Sequence, residues 1–386
     1  MHVAIATPAF PLPRSGRNAG IERLSKELVD GLLARGHEVT VLTTLWNGGE
    51  TSERYKDGWI FRVGDTSTTF GRWGALADAH YWSWGFRIGR VLSEDVRPDV
   101  VHALTPLAST SSLTKGKLPI VTTFHHPDEI WRLQDLLHRP FHRILESTAY
   151  ARSTLLVTPS EASARAVEAQ HEISRERIRV AYWGVNVTKF RPGSRGHRPE
   201  LAILYVGHHE LRKGIGCLLD AVARLSREGI PVRLTTVGGG HQLADLKRMA
   251  RELGIADRVT FLGYLPDPTD EKLPELYSQS DVFVFPSLME GFGFVIVEAM
   301  ACGVPVVASD VSAIPEVIGD AGLLFEPGNP VALARVLRSL AEDPGKREEL
   351  ARKGRERVAA LFTWDKAITR LVSIYREAIA LGGRPS

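Results

Sequence analysis

The sequence predicts two α/β domains, each a mostly parallel sheet covered by helices. Three observations predict it. Strand-like apolar runs alternate with helix-like amphipathic segments along the chain. At 386 residues the chain exceeds what one hydrophobic core usually organises. A stretch with nothing to bury, Arg191–Pro199 (RPGSRGHRP), divides the alternation in two, as a linker rich in Pro, Gly and charge does.

The first unit shows the logic. His2–Thr7 is a short β-rich run, read as a strand buried on both faces. Ile21, Leu24, Leu28 and Leu32 then recur at helical spacing, placing one apolar stripe on a helix from about Gly20 to Ala34. Gly36 caps it, and Glu38–Thr44 is the next strand. Asp99–Leu104, Pro119–Phe124 and Leu155–Thr158 read as further strands, with Ser160 as N-cap of the helix that follows.

Beyond the linker the series restarts. Strands are expected at Leu201–Gly207, Pro231–Val237, Arg258–Leu262, Asp281–Pro286 and Pro305–Ala308. Helices open near Gly214, His241, Glu271 and Gly293, then near Pro330 and Lys346, and a last one runs from Trp364 to about Ala380. The expected division is a first domain 1–190, a linker 191–199, a second domain 200–364 and a closing helix 365–386. Ligands in such folds sit beyond the carboxyl ends of the strands, in the crevice between domains.

Composition narrows the function classes. With 44% hydrophobic and 24% charged residues, the chain is an ordinary globular protein and not a disordered one. A net charge of +3 is too small for a dedicated nucleic-acid binder, so no nucleic-acid partner is expected. Cys217 and Cys302 stand far apart with no CxxC partner, which argues against a disulfide framework or zinc site and fits a reducing compartment. The N-terminus MHVAIATPAF has no basic n-region, and no apolar run approaches the ~18–20 residues of a spanning helix. The expected location is the cytoplasm, with peripheral contact at the inner membrane face left open.

The segment Glu290–Glu298 (EGFGFVIVE) carries the strongest chemical signal. It follows a buried strand and turns through two glycines into a helix, whose N–H groups and positive dipole end favour a phosphate. Glu290 lies in the turn and Glu298 more than one helical turn in. At ~1.5 Å per residue they are too far apart to share one atom, so they suit two parts of one long ligand. Read blandly, the glycines are turn residues and the glutamates surface charges.

A second loop, Val206–Gly214 (VGHHELRKG), ends a strand and places Arg212 and Lys213 before a helix, where they would neutralise a leaving diphosphate. Gly238–Gly240 ends the following strand and could approach a base or ribose, or be a turn only. In the first half, Arg14–Ile21 links strand to helix at a phosphate-cradling position but reads GxxxG, not the dinucleotide GxGxxG. His125 stands just past a strand end. There is no DxD pair, no GxxxxGK[ST] and no GxSxG, and no metal ligand is expected. Aromatic clusters at Phe70–Trp73 and Tyr81–Trp84, and the apolar–basic stretch from Trp131 to Arg143, are candidate acceptor or interfacial surfaces, or simply packing.

Together these segments resemble the retaining glycosyltransferases of family 4, which have the GT-B fold. EGFGFVIVEAMACGVPVV is similar to that family's EX7E segment, VGHHELRKG to its diphosphate loop and AYWGVNVTKF to its segment before the hinge. AGIERLSKELVDGLLARGHEVTVLTT and TTFHH resemble its glycine loop and histidine, and FTWDKAITRLVSIYREA its closing helix, which crosses back to the first domain.

The resemblance implies two Rossmann-like domains with parallel sheets facing a cleft, acceptor in the first and nucleotide sugar in the second. Glu290 would contact the donor sugar, and Gly291, Phe292, Gly293 and Phe294 would present amides to sugar and phosphate. Glu298 would accept from the ribose hydroxyls. Lys213, with Arg212 and His208, would bind the diphosphate, Gly20 would approach it, and His125 would face the transferred sugar. His208 departs from the family pattern, where an arginine is usual.

The implied reaction moves a hexosyl group from GDP-mannose or a UDP-hexose to a hydroxyl of a glycan, a lipid-linked acceptor or a small polyol. Configuration is retained, with no obligatory cofactor or metal. A nucleotide-sugar epimerase or a non-catalytic nucleotide-sugar binder would use the same donor site.

Overall fold

The computed structural model describes residues 1–8, 10, 20–45, 51–65, 87–88, 91–92, 96–106, 118–125, 135–194, 196, 199–265 and 272–382. The Arg14–Ala19 loop, the Phe70–Trp84 aromatics and Trp131 lie outside them. The chain divides into two compact units, Met1–Ala181 with Trp364–Ser386, and Tyr182–Thr363.

In the first unit the strands are β1 (His2–Ala6), β2 (Glu38–Leu45), β3 (Ser52–Tyr55), β4 (Gly58–Asp65), β5 (Val100–Ala103), β6 (Ile120–Thr123), β7 (Leu155–Thr158) and β8 (Ile178–Val180). They form one sheet in the order β3-β4-β2-β1-β5-β6-β7-β8. Every pairing is parallel except β3 with β4. β1 lies between β2 and β5, and Val3, Ala4, Ile5 and Ala6 are wholly buried, which is why its sequence is an unbroken apolar run.

α1 (Gly20–Leu33) sinks Leu24, Leu28 and Leu32 into the core, as its spacing predicts. α2 (Asp135–Arg152) and α3 (Glu161–His171) follow, and Ser160 Oγ accepts the Ser163 N–H at 3.0 Å as the expected N-cap. The β3–β4 hairpin and β8 were not foreseen. β3 (SERY) is a polar edge strand whose residues are never fully buried, so it carries no apolar signal.

The second unit runs β9 (Leu201–Val206), α4 (Ile215–Arg227), β10 (Val232–Val237), α5 (Leu243–Glu252), β11 (Val259–Phe261), α6 (Lys272–Ser278), β12 (Val282–Phe285) and α7 (Phe294–Ala301). It continues through β13 (Val306–Ser309), α8 (Ile314–Ile318), β14 (Gly322–Phe325), α9 (Pro330–Glu342) and α10 (Pro344–Leu361). The sheet order is β11-β10-β9-β12-β13-β14, all parallel. Only the short α8 and β14 depart from the expected series.

The strand order reverses at the β9–β12 pair, where Val282 lies opposite Ile203 and Phe283 opposite Leu204. Loops leaving the carboxyl ends of β9 and β12 therefore emerge side by side, the arrangement that makes ligand sites in doubly wound sheets.

The closing helix α11 (Trp364–Gly382) belongs to the first unit and packs on α1, β5 and β6. Fully buried His102 on β5 joins it to the sheet, with Nδ1 2.7 Å from the Tyr375 hydroxyl and Nε2 2.8 Å from Thr123 Oγ1. Burial pushes this histidine down to about 3, the neighbouring His125 adding to the shift, so it stays neutral. Glu377 receives the Arg179 guanidinium, with Nε 3.0 Å from Oε2, and Arg35 pairs with Asp365.

The break in packing falls at Ala181–Tyr182, upstream of the Arg191–Pro199 stretch expected as linker. The intervening residues have partners in the second unit. Tyr182 donates its hydroxyl to Glu316 at 3.0 Å, the Val185 N–H bonds Phe362 O at 2.8 Å, and buried Phe190 sets its ring edge-on to Tyr277. Among the described residues no helix is long and apolar enough to cross a membrane.

Candidate active site

Two loops at the strand-order reversal meet. After β9 the chain makes a short 3-10 turn, Leu211–Lys213, and enters α4. After β12 it turns through Pro286–Gly293 into α7. Leu288 N–H donates to Arg212 O at 2.7 Å, and Ser287 Oγ bonds Met289 O at 2.9 Å. Gly214 makes the approach possible, because a Cβ there would lie 2.0 Å from Pro286 O and its φ is +65°.

This stitching brings Lys213 Nζ to 2.5 Å from Glu290 Oε2. Both side chains are largely buried, and the ammonium also stands 5.0 Å from the Phe285 ring centroid. A buried cation is tolerated only when paired, and Glu290 is that partner. Arg212 pairs with Glu210 at 3.1 Å from the same turn.

α7 begins immediately beyond Gly291, Phe292 and Gly293, and Gly293 is its N-cap residue, with φ +87°. Phe292 is buried and packs edge-on to Phe294. Glu298 lies deeper in α7, fully buried, and one oxygen accepts the Tyr277 hydroxyl at 3.0 Å. The nearby Cys302 thiol is pushed up to about 12 by burial first and by Glu298 second, so it stays protonated.

His208 is exposed on the β9 loop, its Nδ1 3.2 Å from the Tyr264 hydroxyl, which in turn donates to Gly239 O at 2.9 Å. Gly238 has a structural reason of its own. Its φ is +119° and a Cβ would meet Gly207 O at 2.1 Å, so the backbone demands glycine whatever binds there.

The next residue, His209, is fully buried against Tyr205, and neither ring nitrogen has a hydrogen-bond partner among the described residues. Burial, then the charge of His208, lowers its pKa, so it is held neutral.

In the first unit, Gly20 is the exposed first residue of α1, and a Cβ there would meet nothing within 4 Å among the described residues. His125 lies half-buried just past β6, donating Nε2–H to Leu104 O at 2.7 Å. The second unit thus gathers Lys213, Arg212, Glu290 and the start of α7, with His208 and Gly238 on neighbouring strand ends. Sequence reading missed Tyr264, Tyr277 and His209. Tyr264 follows the carboxyl end of β11, where ligand loops concentrate, and that position was the available signal.

Comparison with known proteins gives this arrangement a class. Residues 18–189 match the family described as Glycosyltransferase Family 4, and residues 188–357 match Glycosyl transferases group 1. A "D-inositol 3-phosphate glycosyltransferase" of Streptomyces bingchenggensis is 31% identical over 79% of this chain and 67% of its own. An "MMP alpha-(1->4)-mannosyltransferase" of Mycolicibacterium hassiacum is 33% identical over 73% of this chain and 71% of its own.

Among solved structures, sucrose-phosphate synthase from Thermosynechococcus elongatus superposes with a TM-score of 0.79 at 23% identity, covering 98% of this chain and 99% of that one. Anabaena HepE in complex with UDP and glucose superposes at 0.75 with 20% identity, covering 97% and 99%. The two parallel-sheet units are those of GT-B glycosyltransferases. The chain belongs to glycosyltransferase family 4, and it is a glycosyltransferase.

Proposed function

We propose that this enzyme moves a hexosyl group, with retention of configuration and without an obligatory metal, from GDP-mannose or a UDP-hexose to a hydroxyl acceptor. The acceptor class is a glycan, a lipid-linked sugar or a small polyol, in keeping with the inositol phosphate and mannosyl chemistry in the names of the two relatives. One observation carries the reading: Lys213 and Glu290, from loops after different strands, are held 2.5 Å apart beside a helix start whose N-cap is a glycine.

In the proposed reaction the donor diphosphate takes Lys213, Arg212 and the first amides of α7 as partners. Glu290 and the Gly291–Phe294 backbone hold the sugar, Glu298 and Gly238 the nucleoside side, and Gly20 and His125 contribute from the first unit. The bond from the anomeric carbon to the diphosphate breaks, and its electron pair moves to the phosphate oxygen that Lys213 neutralises. The acceptor hydroxyl forms the new bond on the same face, and its proton passes to the departing phosphate. Cys302 is no nucleophile here, being buried and held as the thiol.

The test is transfer with each donor in the presence of EDTA, the product read by anomeric NMR. Full activity with an unchanged anomeric configuration is expected. An inverted product, a trapped glycosyl-enzyme adduct, or loss of activity restored only by a divalent cation would overturn the corresponding part.

A further inference from the structure

Tyr264 belongs to no segment the proposed reaction uses, yet the residue is 64% exposed and its hydroxyl bridges two loops of the proposed donor region. The hydroxyl has one hydrogen. Gly239 O, 2.9 Å away, is a carbonyl and can only accept, so the hydrogen goes there. The phenol oxygen is then an acceptor toward His208 Nδ1 at 3.2 Å, and the ring must carry its hydrogen on Nδ1.

The backbone of His208 is held as well, its carbonyl accepting the Tyr205 hydroxyl at 2.9 Å. The relay therefore fixes both the seat of the loop and the tautomer of the imidazole. Neutral His208 offers only a bare lone pair at Nε2, and a diphosphate, which only accepts, can be met there only after a second proton arrives.

We propose that Tyr264 is a positioning residue for donor binding. Through the Gly239–Tyr264–His208 relay it forces His208 to engage the donor's diphosphate as an imidazolium, making binding proton-coupled. The inference rests on the donor-site reading above. The charged and titratable groups around the relay do not replace this coupling. Arg212 is paired with Glu210 and Lys213 with Glu290, while His209 and Tyr205 are buried beneath the loop. Where an arginine stood at this position, no proton would be needed.

The experiment is calorimetric binding of UDP-glucose, UDP-N-acetylglucosamine and GDP-mannose at pH 5.5 to 8.5. These diphosphates are diesters and do not themselves titrate there. Four full-length proteins are compared: wild type, Tyr264→Phe, His208→Arg and the double variant.

Wild type should bind its preferred donor about tenfold more weakly at the alkaline end of that range. Tyr264→Phe frees the ring to place its hydrogen on Nε2 and should flatten that dependence to about threefold or less. His208→Arg should bind with no such dependence, and adding Tyr264→Phe to it should change nothing. Equal effects of Tyr264→Phe in both backgrounds, or an unaltered pH profile, overturn the relay while leaving the donor site standing. Failure of wild type to bind any of the three donors overturns both.

Discussion

Lys213 is the residue on which the proposed donor site turns. It is largely buried and paired with Glu290, and in the proposed reaction a diphosphate replaces that carboxylate as its partner. Lys213→Ala is expected to cut turnover about 100-fold or more, at least as severely as His208→Ala, because Lys213 is largely buried beside Glu290 whereas His208 is exposed. A dead His208→Ala enzyme beside an active Lys213→Ala enzyme would reverse the assignment. Gly214 is a residue of a different kind, needed by the backbone. Gly214→Ala should destabilise the protein by about 3 kcal/mol or more, since the added Cβ would meet Pro286 O. A melting temperature within a degree or two of wild type would contradict this.

At the scale of elements, β5 and α11 are joined by a histidine that must stay neutral. An unfolded chain protonates His102 near the ordinary ~6.5, whereas in the folded protein burial holds it down to about 3. Between those values the unfolded state binds the extra proton, so stability falls as pH falls through that window. The change is at most ~1.4 kcal/mol per pH unit. His102→Gln should lower stability at pH 7 yet reduce the loss between pH 7 and 5 by about 2 kcal/mol, read from urea midpoints. Parallel urea curves for the two proteins at both pH values would count against the buried neutral ring.

Which elements were legible follows from the same physics. Central strands such as Val282–Phe285 are buried on all sides and so appear as uninterrupted apolar runs. Amphipathic α1 declares itself by its stripe. β3, an edge strand reading SERY, and the short β14 present no comparable pattern. The Lys213 and Glu290 loops were legible as motifs, but their 2.5 Å meeting depends on β9 lying next to β12. The Tyr264–His208 contact joins loops that follow β11 and β9, strands on either side of β10, and no local spacing signals that.

For the whole molecule, the two units differ in how the chain builds them. The second is one continuous stretch, Tyr182–Thr363, whereas the first closes only when Trp364–Ser386 joins it. A charge placed on the buried face of α11, such as Leu371→Asp, should therefore strike the first unit and spare the second. Measured by hydrogen exchange, protection should fall in β1, β5 and β6 and persist in β9 and β12. Uniform loss across both sheets would show that the units unfold as one. The same discontinuity bears on how the protein is made. A chain synthesised from its N-terminus makes β1 to β8 before the second unit, yet their sheet lacks the helix carrying Tyr375 until the whole of Tyr182–Thr363 has been made. The first unit is begun before the second and closed after it, so Tyr182–Thr363 has all of its own strands in hand while its neighbour is still waiting.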